Sequence, residues 1–353
     1  MGCIFLNFTI GNFQLKRDSA STPGAYFLLL ASVSVCSSGV FLLASWMRGG
    51  LGFPLDDAWI HQVYARNLGL NGEWAFLPGQ PSAGSTAPLW SLLLGLGYRL
   101  GINPYLWTYS LGMVFLAGLS WVGLMAFNGL SPAGWRWALA VGLFLALEWH
   151  LVWAAVSGME TTLQACLILL ALMLLLRGRL AWLRLGMLIG LSVWVRPDGL
   201  TLLAPAVLVL LTTPDSWRER LGNIIRLGTG ALALLAPYLY FNWRLSGAIL
   251  PNTFFAKQAE YGVELKASLF NRLLEQAALP LVGAGVMLLP GFIYILWDSL
   301  RRKAWTQAAG ALWLIGYLTL YALRLPVTYQ HGRYAMPAMP VYFVWGMAGL
   351  SLL

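Results

Sequence analysis

The sequence predicts an all-α protein, a bundle of about ten transmembrane helices. Hydrophobic residues make up 59% of the 353 positions and charged residues only 10%, and the mean hydropathy is +0.70. A soluble chain carries charge on about a quarter of its positions. The 18 tryptophans are also typical of membrane interfaces, where indole rings are enriched. These observations exclude a soluble domain with a single membrane anchor.

The N-terminal segment predicts a retained first helix. Lys16 and Arg17 precede an apolar run over residues 24–47. This run is longer than a signal-peptide core, and no small-x-small cleavage site follows it. We therefore expect a cytoplasmic tail over residues 1–23 and one transmembrane domain over residues 24–353.

Nine further apolar runs are candidates for crossing the membrane, because about 20 apolar residues span roughly 30 Å of hydrocarbon. Two of them, 180–196 and 199–213, are short, which predicts tilted, broken or buried helices. The nine runs are 104–128, 133–155, 161–177, 180–196, 199–213, 222–245, 279–298, 304–324 and 335–353.

Charge predicts the orientation of the loops. Basic clusters at Arg177, Arg218 and Arg301 lie in short connections, which face the cytoplasm. The spans counted from either side agree only if the apolar run 87–100 does not cross. We therefore predict a long first outer loop over 48–103 that carries interfacial helices, and a second outer loop over 246–278. Contacts of the short loops with anionic lipid account for the net charge of +9, so no nucleic-acid partner is predicted.

The first candidate site is the pair Asp56 and Asp57, just after the first span. Neighbouring side chains on a helix point about 100° apart, so the two carboxylates serve different roles. A carboxylate near a low-dielectric surface has a raised pKa, which suits it to accept a proton from a hydroxyl. The alternative is a helix cap, which the spacing alone favours. One aspartate can cap while the other reacts.

Further ionisable and polar residues collect on the predicted outer side, where their cost near a bilayer marks a functional cavity. Structural alternatives exist: Glu160 suits a helix N-terminus, Arg196 and Asp198 can pair with each other, and long cations snorkel or anchor to lipid. The candidates for substrate binding are His61, Arg66, Glu160, Arg196, Asp198, Asn252, Lys257, His331 and Arg333.

Several common sites are absent from the sequence. The cysteines at positions 3, 36 and 166 indicate neither a disulfide framework nor a cysteine metal site. No phosphate-binding loop, dinucleotide fingerprint, HExxH zinc motif or serine nucleophile elbow occurs. Glu148 and His150 are interpreted as a polar pair rather than metal ligands.

The order of the outer motifs resembles the GT-C membrane glycosyltransferases, the relatives of arabinofuranosyltransferases and protein O-mannosyltransferases. The resemblance covers residues 24 to about 345, and its first-loop pattern is the most specific part. Trp59 stands where the family often has tyrosine. The matching segments are Asp56-Asp57-Ala58-Trp59-Ile60, Tyr64-Ala65-Arg66-Asn67-Leu68, Pro78-Gly79, Gly84-Ser85-Thr86-Ala87-Pro88-Leu89-Trp90, Ser157-Gly158-Met159-Glu160-Thr161, Arg196-Pro197-Asp198-Gly199, Pro251-Asn252-Thr253-Phe254 and His331-Gly332-Arg333-Tyr334.

The resemblance implies transfer of a sugar from a polyprenyl-phosphate donor to an acceptor hydroxyl of a glycan, lipid or protein, on the outer face of the bacterial inner membrane. It implies a general base at Asp56 or Asp57, with Asp56 slightly favoured. Lys257, Arg333 or a divalent metal (Mg or Mn, at the aspartate pair) would stabilise the leaving phosphate. Many family members carry a soluble C-terminal domain or further spans, whereas this chain ends at Leu353.

Two other functions stay open. A non-catalytic GT-C-like subunit of a larger membrane complex fits the missing acceptor domain, while the intact aspartate pair argues against it. A transporter is disfavoured because no paired broken helices occur in matching halves of the sequence.

Overall fold

The computed structural model describes residues 23–177, 181–249, 251, 256–257 and 259–353. Within these ranges the regular structure is helical apart from one two-stranded hairpin, which confirms the all-α prediction. The predicted tail before residue 23 and Asn252 lie outside the described residues. The domain boundaries stay predictions.

The chain begins with helix α1 (Pro23–Arg48) and helix α2 (Asp56–Asn71), followed by the hairpin of β1 (Ala75–Leu77) and β2 (Gln80–Pro81). The helices that follow are α3 (Pro88–Arg99), α4 (Pro104–Leu130), α5 (Trp135–Leu147), α6 (Trp149–Val156), α7 (Thr161–Leu175), α8 (Trp182–Val195), α9 (Leu203–Thr212), α10 (Trp217–Ser246), α11 (Leu269–Ala278), α12 (Leu289–Arg301), α13 (Trp305–Arg324) and α14 (Met339–Leu350).

The helices support an integral membrane protein. In the described part of the chain, α1, α4, α10 and the segment 283–301 are long and apolar enough to cross a membrane, and α5 with α6 forms a fifth crossing if the bent pair is one span. Helices α7 and α8 and the segment 197–212 are apolar but shorter. The count of about ten spans is not confirmed and stays a prediction.

Two breaks in the helices explain why some apolar runs of the sequence do not form single long helices. Glu148 ends α5 in an extended conformation, and its carboxylate accepts a hydrogen bond from the Leu151 N–H at 3.1 Å, so α6 starts at a bend of 51°. Arg196 is extended (φ −153°, ψ 138°) because the residue before a proline is disfavoured in the α region. Helix α8 therefore ends where Pro197 follows.

The segment between α1 and α4 packs as a unit. Gln62 of α2 donates to Thr108 of α4 at 2.8 Å and accepts from the Tyr98 hydroxyl of α3 at 2.9 Å. Helix α3 has 12 residues and is about 18 Å long at 1.5 Å per residue, too short to cross roughly 30 Å. This length agrees with a run 87–100 that does not cross. The outer location of the segment stays a prediction.

Helices α8 and α10 pack through glycines. A Cβ on Gly186 would lie 2.1 Å from the Leu227 carbonyl oxygen, and one on Gly230 would lie 2.2 Å from that of Leu183. Small residues allow such close backbone contact between membrane helices. Both contacts lie in the first half of α8 and hold that half of the helix against α10.

Candidate active site

A cavity of about 750 Å³ lies where the start of α2, the turn before α7, the break after α8 and the end of α13 meet. Six of the residues predicted from the sequence line it. Its charged residues are Asp57, Glu160, Arg196, Asp198, Lys257, Arg324 and Arg333.

The first group in the cavity is an aspartate held by two cations. Asp57 Oδ2 lies 2.8 Å from Lys257 Nζ and 2.7 Å from a terminal guanidinium nitrogen of Arg333. Burial alone would raise the pKa of the Asp57 carboxyl, but the Lys257 ammonium and the Arg333 guanidinium outweigh it and lower the pKa below its usual value. The expected raised pKa was therefore wrong for Asp57, because two cations contact its carboxylate.

Asp57 reaches the cavity because helix α2 begins at Asp56. The N-cap position is Leu55, which makes no side-chain capping bond, so the capping interpretation is wrong for both aspartates. Asp56 Oδ1 accepts the neighbouring Asp57 N–H, at 2.9 Å, and its side chain is exposed. The expected angle between adjacent helical positions thus turns one carboxylate into the cavity and the other away from it.

Tyr334 brings the cations together. The guanidinium carbons of Arg333 and Arg196 lie 4.8 and 5.5 Å from its ring centroid, and Lys257 Nζ lies 5.9 Å from it. These distances are in the range of cation–π contacts. Its hydroxyl also accepts a hydrogen bond from Arg333 at 3.0 Å. The aromatic ring thus stabilises three positive charges in one wall of the cavity.

The second group is centred on Asp198. Its Oδ2 lies 3.2 Å from Arg196 Nε and accepts hydrogen bonds from the hydroxyls of Tyr317 at 2.7 Å and Tyr321 at 2.5 Å. Gln164 donates to the other carboxylate oxygen at 3.2 Å. The two tyrosines lie one turn apart on α13, so this ion pair connects the break after α8 to α13.

The third group lies behind the turn that precedes α7. Gly158 has φ +84°, and a Cβ there would lie 2.6 Å from the Phe53 ring, so only glycine fits this turn. Two residues later, Glu160 Oε1 lies 3.7 Å from Arg196 and Glu160 Oε2 lies 3.5 Å from His61 Nε2. Burial would raise the pKa of Glu160, but His61 and Arg196 lower it below its usual value.

Besides Asp56, three described residues of the predicted site do not line the cavity. His61 lies behind Glu160, and Arg66 is exposed on α2. His331 packs its ring at 4.9 Å from Trp153 and 5.4 Å from Trp149. Gln330 and His331 both have left-handed backbones, with φ of 55° and 59°, so a tight turn separates His331 from Arg333. Asn252 lies outside the described residues.

Sequence reasoning missed four residues of this site. Tyr334 follows Arg333 in the motif His331-Gly332-Arg333-Tyr334. An aromatic residue next to a cation was the sequence signal for a cation–π contact. Tyr317 and Tyr321 are spaced four apart in an apolar run, where two polar hydroxyls on one helix face were the signal. Arg324 lines the cavity from the last turn of α13, and in the sequence it stands at the end of a predicted span.

The aspartate pair does not form a metal ligand set. The described residues contain no group of three histidine, cysteine, aspartate or glutamate side chains placed to hold a metal ion. Two cations already contact Asp57 Oδ2, and Asp56 faces away. These residues therefore do not fit Mg²⁺ or Mn²⁺.

Comparisons with known proteins decide the fold. No family model matches the chain, and no curated protein matches it by sequence. The structure matches ArnT from Cupriavidus metallidurans bound to undecaprenyl phosphate, at a TM-score of 0.66 and 19% identity over 94% of this chain and 60% of ArnT. The chain has the GT-C glycosyltransferase fold.

Two structures of the Archaeoglobus fulgidus oligosaccharyltransferase share this GT-C fold. The complex with Zn and sulfate matches at a TM-score of 0.64 and 13% identity, over 93% of this chain and 49% of that one. The AglB complex with an inhibitory peptide and a dolichol-phosphate matches at 0.61 and 12%, over 94% and 50%. The chain therefore spans about half to three fifths of these proteins. The GT-C resemblance predicted from the motifs is confirmed for the fold.

Proposed function

We propose that the protein is a membrane glycosyltransferase that transfers a sugar from a polyprenyl-phosphate donor to a hydroxyl group of an acceptor on the outer face of the bacterial inner membrane. The observation that carries this proposal is a charged cavity joined to an apolar groove. A polyprenyl-phosphate sugar has the same two parts, a polar sugar phosphate and a long hydrocarbon chain.

The groove lies between α9 and α13. It has a volume of about 370 Å³, shares Thr201 and Leu320 with the cavity, and is lined by small and apolar residues such as Ala204, Leu208 and Gly316. Burial of apolar chain in such a groove is favourable. The undecaprenyl phosphate of ArnT and the dolichol-phosphate of AglB support the same class of donor for this chain.

Lys257 and Arg333 are the proposed phosphate ligands. Both are held in place in the cavity wall by Asp57 and by the Tyr334 ring. Arginine binds phosphate oxygens through two parallel N–H groups, and lysine adds a point charge. Stabilisation of the charge that develops on a leaving phosphate is a large catalytic effect.

Asp57 is the proposed general base, since it lines the cavity and Asp56 does not. Its lowered pKa keeps it ionised at neutral pH and able to accept a proton. As the acceptor hydroxyl transfers its proton to Asp57, its oxygen bonds to C1 of the sugar. The bond from C1 to the phosphate oxygen breaks, and its electron pair leaves with polyprenyl phosphate. Phosphate that contacts Lys257 and Arg333 weakens their hold on Asp57 and makes it more basic.

The test is sugar transfer in proteoliposomes from a panel of polyprenyl-phosphate sugars to glycan, lipid and peptide acceptors. Asp57→Asn should lower transfer by about 10²- to 10⁴-fold, the usual contribution of a general base. Asp56→Asn is the matched control and should retain it. Equal transfer by wild type and Asp57→Asn contradicts the mechanism. A folded protein that transfers from no donor and copurifies with a stable partner would instead be a non-catalytic subunit.

A further inference from the structure

A buried polar cluster lies behind the cavity wall and is not used by the mechanism above. It consists of His61, Ser85, Ser91 and Glu160, which are 2%, 2%, 0% and 3% exposed. Only Glu160 also lines the cavity. Burial of polar groups costs free energy, and four of them buried together beside the cavity indicate a function.

The His61 ring lies between two serine hydroxyls on one side and the Glu160 carboxylate on the other. His61 Nδ1 lies 3.1 Å from Ser85 Oγ and 3.3 Å from Ser91 Oγ, and the two hydroxyls are 2.9 Å apart. On its other side, His61 Nε2 faces Glu160 Oε2 at 3.5 Å, and neither atom has a hydrogen-bond partner among the residues that the structure describes. A proton between His61 Nε2 and Glu160 Oε2 would give each of these atoms a hydrogen-bond partner.

Charged groups face His61 from its own helix and from the turn before α7. Asp57 lies one turn earlier on the same helix, where residues four apart are neighbours. Glu160 faces the ring from the turn before α7, while α3 and the loop before it contribute only neutral hydroxyls. Three cations of the cavity each contact one of these carboxylates: Arg196 contacts Glu160, and Lys257 and Arg333 contact Asp57.

Sugar transfer creates a charge imbalance that a stored proton would offset. The donor is a phosphodiester with one negative charge, whereas the product polyprenyl phosphate has a second ionisation at a pKa of about 6. The acceptor hydroxyl loses one proton at the same time. If that proton left the site, the buried site would gain one negative charge in a low-dielectric region, where such a charge is costly.

We propose that His61 receives the acceptor's proton through Glu160 and keeps it until polyprenyl phosphate leaves. This proposal rests on the proposed function. The proton passes from Asp57 through the cavity to Glu160 and then from Oε2 to Nε2, so the ring becomes positively charged and Asp57 returns to its ionised form. When the phosphate product departs, the proton returns to solvent by the same route. His61 is therefore a positioning residue that acts through Glu160, with no direct contact to substrate.

The first experiment uses NMR of protein labelled with ¹⁵N in its three histidines. The His61 signal is assigned from its loss in His61→Gln. At constant neutral pH, addition of polyprenyl phosphate should convert the His61 ring from neutral to protonated, and Glu160→Gln should abolish the change. A ring that stays neutral while the phosphate is bound overturns the proposal. Absence of phosphate binding overturns both this proposal and the proposed function.

The second experiment measures the pH dependence of transfer. A ring that has already taken a proton from solvent cannot accept the acceptor's proton. The wild-type transfer rate should therefore decline at acidic pH. His61→Gln, which keeps an amide in place of the ring, should lose that decline and lower the rate at neutral pH at least 10-fold. Unchanged rate and profile in His61→Gln, beside active wild type, overturn this proposal and leave the proposed function intact.

His150 supplies a matched control. It is also 2% exposed and pairs with a glutamate, with Nδ1 2.7 Å from Glu148 Oε1, but Glu148, unlike Glu160, does not line the cavity. His150→Gln should keep both the transfer rate and the acidic decline. If it reproduces the His61→Gln profile, then loss of a buried ion pair explains the effect and the proposal fails.

Discussion

Lys257 Nζ lies 2.8 Å from Asp57 Oδ2, although 200 residues separate the two along the chain. Arg333 approaches the same oxygen from a third segment. One carboxylate therefore fixes two cations from separate parts of the sequence in the wall of one cavity. The structure predicts how substitutions change donor binding, protein stability and the preference for donor chain length.

Lys257→Met should weaken donor binding. A charged hydrogen bond contributes about 1.5–3 kcal/mol, so the KM for the polyprenyl-phosphate donor should rise about 10- to 100-fold. Steady-state kinetics in proteoliposomes measure the change. Lys266→Met, which removes an exposed lysine, is the control and should leave KM unchanged. Equal KM values for both variants would show that Lys257 does not contact the phosphate.

Asp57→Asn should lower stability by about 1–3 kcal/mol at neutral pH, because two cations lose their charged partner. The folded-state pKa of Asp57 lies below its ordinary value of 3.8. The stabilisation is therefore present above about pH 4 and is lost as the pH falls through the folded-state pKa. Thermal unfolding in detergent as a function of pH measures this, with Asp56→Asn as control. A stability difference that vanishes already at neutral pH would contradict the ion pairs.

Tyr321→Phe should destabilise the fold by about 1–3 kcal/mol, since its hydroxyl donates to Asp198 and accepts from Arg196 at 3.0 Å. Arg196 is buried and Asp198 is partly buried, and each would lose a hydrogen bond. The Tm in detergent should fall, while that of the control Tyr240→Phe, at an exposed tyrosine, should not. Identical Tm values would show that the Asp198 group is stable without Tyr321.

Gly316→Leu should discriminate between donors of different chain length. Gly316 lines the apolar groove, and a Cβ there would meet no heavy atom within 4 Å. The added side chain fits the fold but fills the groove, so KM should rise for a long polyprenyl donor and change little for a short-chain analogue. Gly228→Leu, also in open space on α10, is the control. An equal effect on both donors would place the hydrocarbon chain elsewhere.

Much of the helical structure was predictable from apolar runs. The runs 24–47 and 104–128 correspond to α1 and α4, and 304–324 corresponds to α13 within one residue. Long apolar runs can be identified without knowledge of tertiary contacts, because hydropathy is a local property of the sequence. Runs with an internal break were not resolved: residues 133–155 form two helices joined at Glu148, since the bend depends on how that carboxylate bonds to the backbone.

The candidate site was predicted as a set of residues but not as an arrangement. Asp57, Lys257 and Arg333 were all candidates, yet nothing in their spacing indicated that they share one oxygen. Asp56 was slightly preferred as the base, whereas Asp57 is the aspartate that lines the cavity. The pKa of Asp57 was expected to be raised because burial can be inferred from position, whereas its two cations cannot.

The sequence by itself determined the class of protein, because composition and motif order accumulate along the chain and need no knowledge of contacts. It also identified most of the charged residues of the site, since an ionisable group in an apolar chain stands out from its neighbours. Only the tertiary structure decided which carboxylate enters the cavity, which cations it holds and where His61 lies. Those relationships depend on distances of a few ångströms between segments far apart in sequence, and electrostatic interactions fall off with such distances.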